Sequence, residues 1–291
     1  MSKISIIIPA KNESKSLVEL LPQLKLLKID AEIIVVNDGS EDDTELICKN
    51  NNAIVVSHPY SKGNGAAIKS GARAAKGDVL VFMDADGQHQ PEDIPKLLEV
   101  YQKGFDMVVG TRNKKSQASI TRLFGNALYN RISSYMTGHE IKDLTSGFRV
   151  VSANKFKQFL YLLPNGFSYP TTITMAFFRA GFSVGYVPIF APERIGKSHI
   201  NIIKDGTRFF LIIFKIGTLY SPMKLFFPAS AMFFLSGLGY YAYTFLSNGR
   251  FTNMGVLLFS TSILIFLMGL VSEQITSLFY QSKPDSNDKE N

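Results

Sequence analysis

Between Leu225 and Ser272 this 291-residue chain carries one charged side chain, Arg250, which divides the stretch into two apolar segments, Leu225–Leu246 and Met254–Phe279. Each is about twenty residues or longer, enough for an α-helix to cross a hydrocarbon core of about 30 Å. A buried helical hairpin in a water-soluble protein is the alternative. Both segments exceed the usual length of a core helix, and only the short polar loop 247–253 separates them. The sequence therefore predicts a globular part followed by a two-helix membrane anchor.

Charge placement orients that anchor. Lys204, Arg208, Lys215 and Lys224 precede the first segment and Lys283 follows the second, whereas the connecting loop offers only Arg250. The excess of Lys and Arg keeps both flanks on the cytoplasmic side of an inner (cytoplasmic) membrane, with the globular part in the cytosol. The apolar run Ile4–Ile8 is too short for a cleavable signal and is broken at once by Pro9-Ala-Lys-Asn-Glu13. A single cysteine, Cys48, excludes an intramolecular disulfide and fits a reducing compartment. The net charge of +7 is spread along the chain or gathered beside the apolar segments. Anionic lipid and phosphate-bearing substrates explain it, and nucleic acid is not an expected partner. Residues 200–224 mix Lys204, Asp205, Arg208 and Lys215 with a dense Phe209–Phe214 run, a pattern read as an amphipathic helix on the membrane surface, with an ordinary domain helix as the alternative. The expected organisation is a cytosolic domain over 1–199, the interface helix over 200–224, the two-helix anchor over 225–280 and a polar tail over 281–291.

The first two hundred residues alternate short β-branched runs with helical patterns. Strands are predicted at Ile4–Ile8, Glu32–Val36, Ala53–Val56, Val79–Met83 and Met107–Val109, with helices near Ser14–Lys28, Asp42–Asn51, Gly63–Ala75 and Pro91–Lys103. This argues for an α/β fold, a mainly parallel sheet with helices on both faces. Past Gly110 the pattern loosens into a helix at Thr121–Met136, a turn and strand around Asp143–Val150, a helix at Tyr169–Ala180 and an extended piece at Ser183–Pro192. Ligands of open α/β sheets bind beyond the carboxyl ends of the strands. There the chain places Pro9–Glu13, Asn37-Asp-Gly-Ser40 and Asp84-Ala-Asp86, three polar segments expected to converge on one cleft.

Asp84 and Asp86 repel each other unless a positive charge sits beside them. With Gln88 and His89 nearby they offer hard oxygen ligands to Mg2+ or Mn2+, ions that keep several waters and share coordination with substrate phosphates. A solvated turn before the helix opening at Pro91 is the alternative for this pair alone. Rival phosphate motifs fail: Ile68 occupies the third glycine position of a dinucleotide fingerprint begun at Gly63-Asn-Gly65, and no Walker A sequence occurs. His58, His139 and His199 lack metal-ligand spacing and read as surface or hydrogen-bonded residues.

Taken in order, Pro9–Glu13 (PAKNE), Asn37–Ser40 (NDGS), Lys62–Ala67 (KGNGAA), Asp84–His89 (DADGQH), Asp143–Arg149 (DLTSGFR) and Glu193–Ser198 (ERIGKS) resemble the inverting family-2 glycosyltransferases of GT-A fold. The resemblance is nearest to the branch that includes dolichol-phosphate mannose synthase and bacterial polyprenyl-phosphate glycosyltransferases. It covers about the first 200 residues, and the paired C-terminal segments look like those of membrane-anchored bacterial members.

The resemblance implies a role for each matching position. Pro9, Ala10, Asn12 and Glu13 would line a base and ribose pocket, Asp38 would contact the nucleoside, and Lys62, Asp84 and Ala85 would complete the nucleotide-sugar site. Asp86 with Gln88 would hold the metal and the diphosphate. Asp143, Ser146 and Arg149 would lie beside the acceptor, Arg194 and Ser198 on a loop closing over phosphates, and Arg122 and Arg131 in reach of an acceptor phosphate. Asp86, Asp143 and Arg194 are thus the expected catalytic set. Many relatives carry DDGS where this chain has Asn37-Asp38, and an aromatic where it has Lys11, which leaves UDP and GDP donors both open. The activity implied is inverting transfer of a sugar from a nucleoside diphosphate to a polyprenyl phosphate at the cytoplasmic leaflet, with a homo-oligomer left open. Two rivals are transfer to a hydroxyl with Asp143 as base, and a non-catalytic membrane subunit that binds a nucleotide sugar.

Overall fold

A computed structural model describes residues 3–112, 120–166, 168–190, 214 and 217–281. The chain forms two compact units, Met1–Ser198 and His199–Asn291.

The first unit is built on a seven-stranded sheet of β1 (Ile4–Ala10), β2 (Ala31–Asn37), β3 (Ile54–Ser57), β4 (Val79–Phe82), β5 (Met107–Arg112), β6 (Arg149–Ser152) and β7 (Val184–Ile189), in the order β3-β2-β1-β4-β6-β5-β7. Ile6–Ile8, Ile34–Val36 and Val79–Phe82 are buried without interruption, as strands covered on both faces must be. Helices α1 (Ser14–Leu26), α2 (Thr44–Asn50), α3 (Asn64–Ala74) and α4 (Ile94–Gln102, after a 3-10 turn at Pro91–Asp93) connect the first five strands. In α1 the buried residues Leu17, Leu20, Leu21 and Leu24 fall on one face and join Ile6, Ile8 and Val81 in the core. Further along lie α5 (Ile120–Thr137), α6 (Ala153–Lys157) and α7 (Tyr169–Arg179).

One strand breaks the parallel pattern. β6 runs antiparallel to both β4, where Phe82 faces Arg149, and β5, where Val109 faces Arg149. The start of β6 therefore lies beside the ends of β4 and β5. That reversal carries the segment 143–148 to the same sheet edge as Asp84 and Asp86. The sheet is mixed and mainly parallel, a GT-A architecture, and α6 is the one element of this unit with no counterpart in the sequence reading.

In the second unit, α8 (Pro222–Asn248) and α9 (Asn253–Gln281) form a hairpin whose apolar stretches, Pro222–Ser247 and Asn253–Leu278, are long enough to cross a membrane. Leu235, Leu246, Leu264 and Met268 are exposed, which the buried-hairpin alternative does not allow. Gly249, at φ 60°, ends α8 in the left-handed conformation, and its N–H donates to Phe245 O at 2.9 Å. Ser230 Oγ donates to Ser262 O and Ser262 Oγ to Ser230 O, both at 2.9 Å, a reciprocal clasp between the helices. At the other end of the hairpin, Met223 N donates to Glu273 Oε2 at 3.4 Å. The expected interface helix over 200–224 falls mostly outside the described residues, as does the tail after Gln281, while α8 begins at Pro222 rather than Leu225.

Candidate active site

The polar strand ends meet, as expected, around a cleft of about 450 Å3. Pro9, Ala10, Lys11 and Glu13 come from the end of β1, Asp38 from β2, and Asp84, Ala85, Asp86 and Gln88 from β4. The turn before α3 and its first residues add Ser61, Gly63, Asn64 and Ala67, of which the sequence reading assigned none. Asn12 and Lys62, both expected here, do not line the cleft.

Asp38 is buried, and its carboxylate accepts four hydrogen bonds: His58 Nδ1 (2.7 Å) and Lys62 N (2.8 Å) on Oδ1, Ser61 Oγ (2.8 Å) and Gly63 N (2.9 Å) on Oδ2. Burial opposes its ionisation, but the donors, led by His58, outweigh that cost and hold the carboxyl at about 2. Its principal work is thus to fix the 61–63 turn. Lys62 takes part through its backbone, with its ammonium 5.7 Å from the Tyr60 ring centroid. Gly63 has φ 99°, and a methyl there would stand 2.7 Å from Asn165 O. His58, read from sequence as surface or hydrogen-bonded, is buried and bridges Asp38 to Ser70 Oγ through Nε2 at 2.8 Å.

Asn12 ties two strand ends together. With φ 55°, a conformation asparagine tolerates, its N donates to Ser40 Oγ (2.9 Å) and its Oδ1 accepts from Glu41 N (2.8 Å). Asn37 uses both ends of its amide, accepting from Ser40 N at 2.9 Å and donating to Glu45 Oε2 at 3.3 Å. An aspartate at that position could make only the first bond.

At the end of β4, Asp84 and Asp86 are half-buried. Asp84 N donates to Nδ1 of the buried His89 at 2.9 Å, so the neutral ring carries its proton on Nε2. His89 stacks on Phe148 at 4.9 Å, and its burial pushes its pKa down. Gly147 gives the Asp84 carboxylate its room, since a methyl there would lie 2.9 Å from Oδ2. Asp86 Oδ1 accepts from Gln88 N at 3.2 Å. Among the described residues no trio of His, Cys, Asp or Glu is grouped to cage a metal. Two carboxylates and the Gln88 amide opening on the cleft suit instead an oxygen-ligated ion that shares its shell with water and substrate.

On the other side of β4, Asp143 is gripped by Arg112 through Nε to Oδ2 (2.9 Å) and Nη2 to Oδ1 (3.0 Å), a bidentate pair. Ser146 N and Thr145 N also donate to Oδ1, at 3.1 and 3.2 Å. Burial alone would raise the pKa of Asp143, but the Arg112 guanidinium and these N–H groups hold it below the usual carboxylate range. Two expectations for the neighbouring acceptor residues are corrected. Arg149 is fully buried, donating to Ser146 O (2.7 Å), Leu144 O (3.2 Å) and Thr174 Oγ1 (2.6 Å), so it braces the 144–149 turn and cannot reach a phosphate. Ser146 is buried too, at 1% exposure. Arg131 is exposed on α5. The Arg122 side chain, Arg194 and Ser198 lie outside the described residues. Arg112 was missed because β5 was read as ending at Val109; extended to Arg112, the strand-end rule finds it.

The profile described as glycosyl transferase family 2 matches residues 5–160, and one described as the GtrB C-terminal hairpin matches residues 221–278. An undecaprenyl-phosphate 4-deoxy-4-formamido-L-arabinose transferase of Pseudomonas fluorescens is 35% identical over 189 residues, covering 58% of this chain and 55% of the relative. The chain thus spans about half the length of that relative. Glycosyltransferase AglJ of Haloferax volcanii is 26% identical over 290 residues, 94% of each chain. Glucosyl-3-phosphoglycerate synthase from Mycobacterium tuberculosis, solved with Mn2+, UDP-glucose and phosphoglyceric acid, superposes with a TM-score of 0.59 at 21% identity over 74% of this chain and 79% of that one, a likeness of fold.

Proposed function

We propose, since this chain belongs to glycosyl transferase family 2, that it transfers a sugar with inversion from a nucleoside diphosphate sugar to a polyprenyl phosphate at the cytoplasmic face of a membrane. The observation that carries this reading is the state of Asp143. A hydroxyl acceptor needs a group to take its proton, and Asp143 is the carboxylate on the β6–β5 side of the edge. Its oxygens are filled by Arg112 and backbone N–H groups, and its pKa is held down. It is a poor base. A phosphate monoester has a second pKa of about 6 and arrives already ionised.

In this reading the cleft beside Asp38 and the 61–63 turn receives the nucleotide, and Asp86 with Gln88 holds a divalent cation, Mg2+ or Mn2+. The bound ion would supply positive charge to the departing diphosphate. An acceptor phosphate oxygen forms its bond to the anomeric carbon while the bond from that carbon to the donor diphosphate oxygen breaks. The electron pair leaves with the nucleoside diphosphate, and no proton must move. Arg131, with Arg122, Arg194 and Ser198, supports an acceptor phosphate by the family resemblance. The names of the relatives, one acting on undecaprenyl phosphate, support the lipid class. The charge pattern supports a cytosolic catalytic unit with α8 and α9 as the anchor.

Purified protein incubated with labelled UDP- and GDP-sugars, Mn2+ or Mg2+ and polyprenyl phosphate tests this directly. A sugar-phosphate-polyprenol product that disappears with EDTA is expected. Transfer to prenyl alcohol but not prenyl phosphate would overturn the proposal.

A further inference from the structure

The loop 84–89 leaves β4 carrying Asp84, Asp86 and Gln88, and among the described residues no backbone-to-backbone hydrogen bond closes it. Side chains close it instead. Asp86 Oδ1 accepts from Gln88 N at 3.2 Å, Gln90 Nε2 donates to Gly87 O at 3.2 Å, and His89 Nδ1 accepts from Asp84 N at 2.9 Å. These bonds differ in how much of them a bound cation would leave. The first belongs to the residues assigned to the cation, so the Asp86 carboxylate is shared with it. The second is exposed, where water competes for both partners. The third is the shortest and comes from a buried ring, and it alone involves neither solvent nor a residue assigned to the metal.

His89 also rests on a rigid platform. Its ring stacks on Phe148 with 4.9 Å between centroids and 17° between planes. Phe148 is fully buried and its carbonyl accepts from Gly110 N at 2.9 Å, while the carbonyl of its neighbour Gly147 accepts from Tyr169 Oη at 3.1 Å. Residues of β5 and α7 thus pin the 147–148 backbone at the start of β6. A stacked ring has a fixed plane, and the Nδ1 lone pair lies in that plane, so Phe148 aims the acceptor that holds Asp84 N. The other end of the same residue meets the same backbone, because Gly147 leaves the room that the Asp84 carboxylate occupies.

We propose that His89 is a positioning residue for the β4 carboxylates: it fastens the loop bearing Asp84, Asp86 and Gln88 to the 147–148 backbone, so that the cation ligands hold their spacing before the cation arrives. The inference rests on the assignment of Asp86 and Gln88 to a divalent ion made above. It gives the last residue of the Asp84–His89 motif work that needs no contact with substrate.

The test is Mn2+ binding by full-length protein in detergent, read by electron paramagnetic resonance with UDP and, separately, GDP present. His89→Phe keeps the ring and its stack but offers no acceptor, whereas His89→Asn keeps an acceptor near the Nδ1 position and loses the ring. His89→Phe should weaken Mn2+ binding roughly 10-fold to 100-fold, the usual loss when a hydrogen bond that orients a metal site is removed, and His89→Asn should restore most of it. Melting temperatures should run the other way, since the phenyl ring preserves the packing on Phe148 and the smaller amide does not. Mn2+ affinity that follows melting temperature, strong in His89→Phe and weak in His89→Asn, or an equal loss in both, would overturn the inference by showing that the ring only fills space. Where neither variant folds, Phe148→Leu decides: it leaves Nδ1 in place without its stack, and it should weaken Mn2+ binding, an unchanged affinity counting against the inference. If the wild type binds no Mn2+ with either nucleotide, the metal reading itself fails. If the wild type binds it and His89→Phe binds it equally well, the His89 inference alone fails.

Discussion

At the scale of single residues, the strand-end cleft depends on carboxylates whose surroundings differ sharply. Asp38 is surrounded by donors and sits at about 2 against an ordinary 3.8. A depressed folded-state pKa contributes stability that is complete above the unfolded value and is lost as pH falls through the folded one. Asp38→Asn should therefore flatten the loss of stability between about pH 4 and pH 2 relative to the wild type, read as urea midpoints across that window. Asp84 depends on space. Gly147→Ala would put a methyl against its Oδ2, and a misplacement of about 1 Å can cost on the order of 100-fold in rate. We expect that loss in kcat with an unchanged circular dichroism spectrum; near-normal kcat would show that the Asp84 carboxylate has slack. Arg149 teaches the opposite lesson about sequence. A basic residue in a motif near the acceptor looked available, and only its burial shows that it serves the turn.

At the scale of elements, the sheet was legible because its central strands are continuous apolar runs and its turns carry polar residues at strand ends. The first four strand ends follow from that pattern to within two residues. Less legible was the direction of β6, because Arg149–Ser152 is four residues long and alternation does not encode orientation. The pairing of β6 between β4 and β5 is a long-range choice, and it brings Asp143 to the active edge. Loss of Arg112 from the sequence reading has the same origin: Gly110 looked like a strand terminus but packs inside β5 against Ile189 and Phe148. The hairpin was clear from composition, whereas the Ser230–Ser262 clasp depends on which faces of α8 and α9 meet. Ser230→Ala should lower hairpin stability by roughly 0.5–2 kcal/mol, measured by denaturation in mixed micelles. Ser262→Ala added to it should cost little more, since the two hydroxyls form one unit.

At the scale of the whole molecule, the orientation of the chain is the property most open to direct measurement. Cys48 is buried, and burial, reinforced by the nearby Glu45 charge, pushes its thiol up to about 11, so it should not react at neutral pH. Single cysteines can therefore be added without removing it. In intact cells an impermeant maleimide should modify Ser247→Cys, at the far end of α8, and spare Ser61→Cys, on the turn beside the cleft; the reverse labelling would place the cleft outside the cytosol. The hairpin has a further consequence for substrate encounter. On the function proposed above, a catalyst joined by its own chain to two membrane-crossing helices would search for its lipid acceptor in two dimensions, at a local concentration set by the tether rather than by the bulk solution. Weak intrinsic recognition of that lipid would then be sufficient for saturation. A water-soluble short-chain prenyl phosphate should consequently reach the same kcat as a bilayer-embedded one while needing a far higher bulk concentration to do so, and diluting the embedded acceptor with inert lipid, at constant total amount, should slow the reaction although nothing in the aqueous phase has changed.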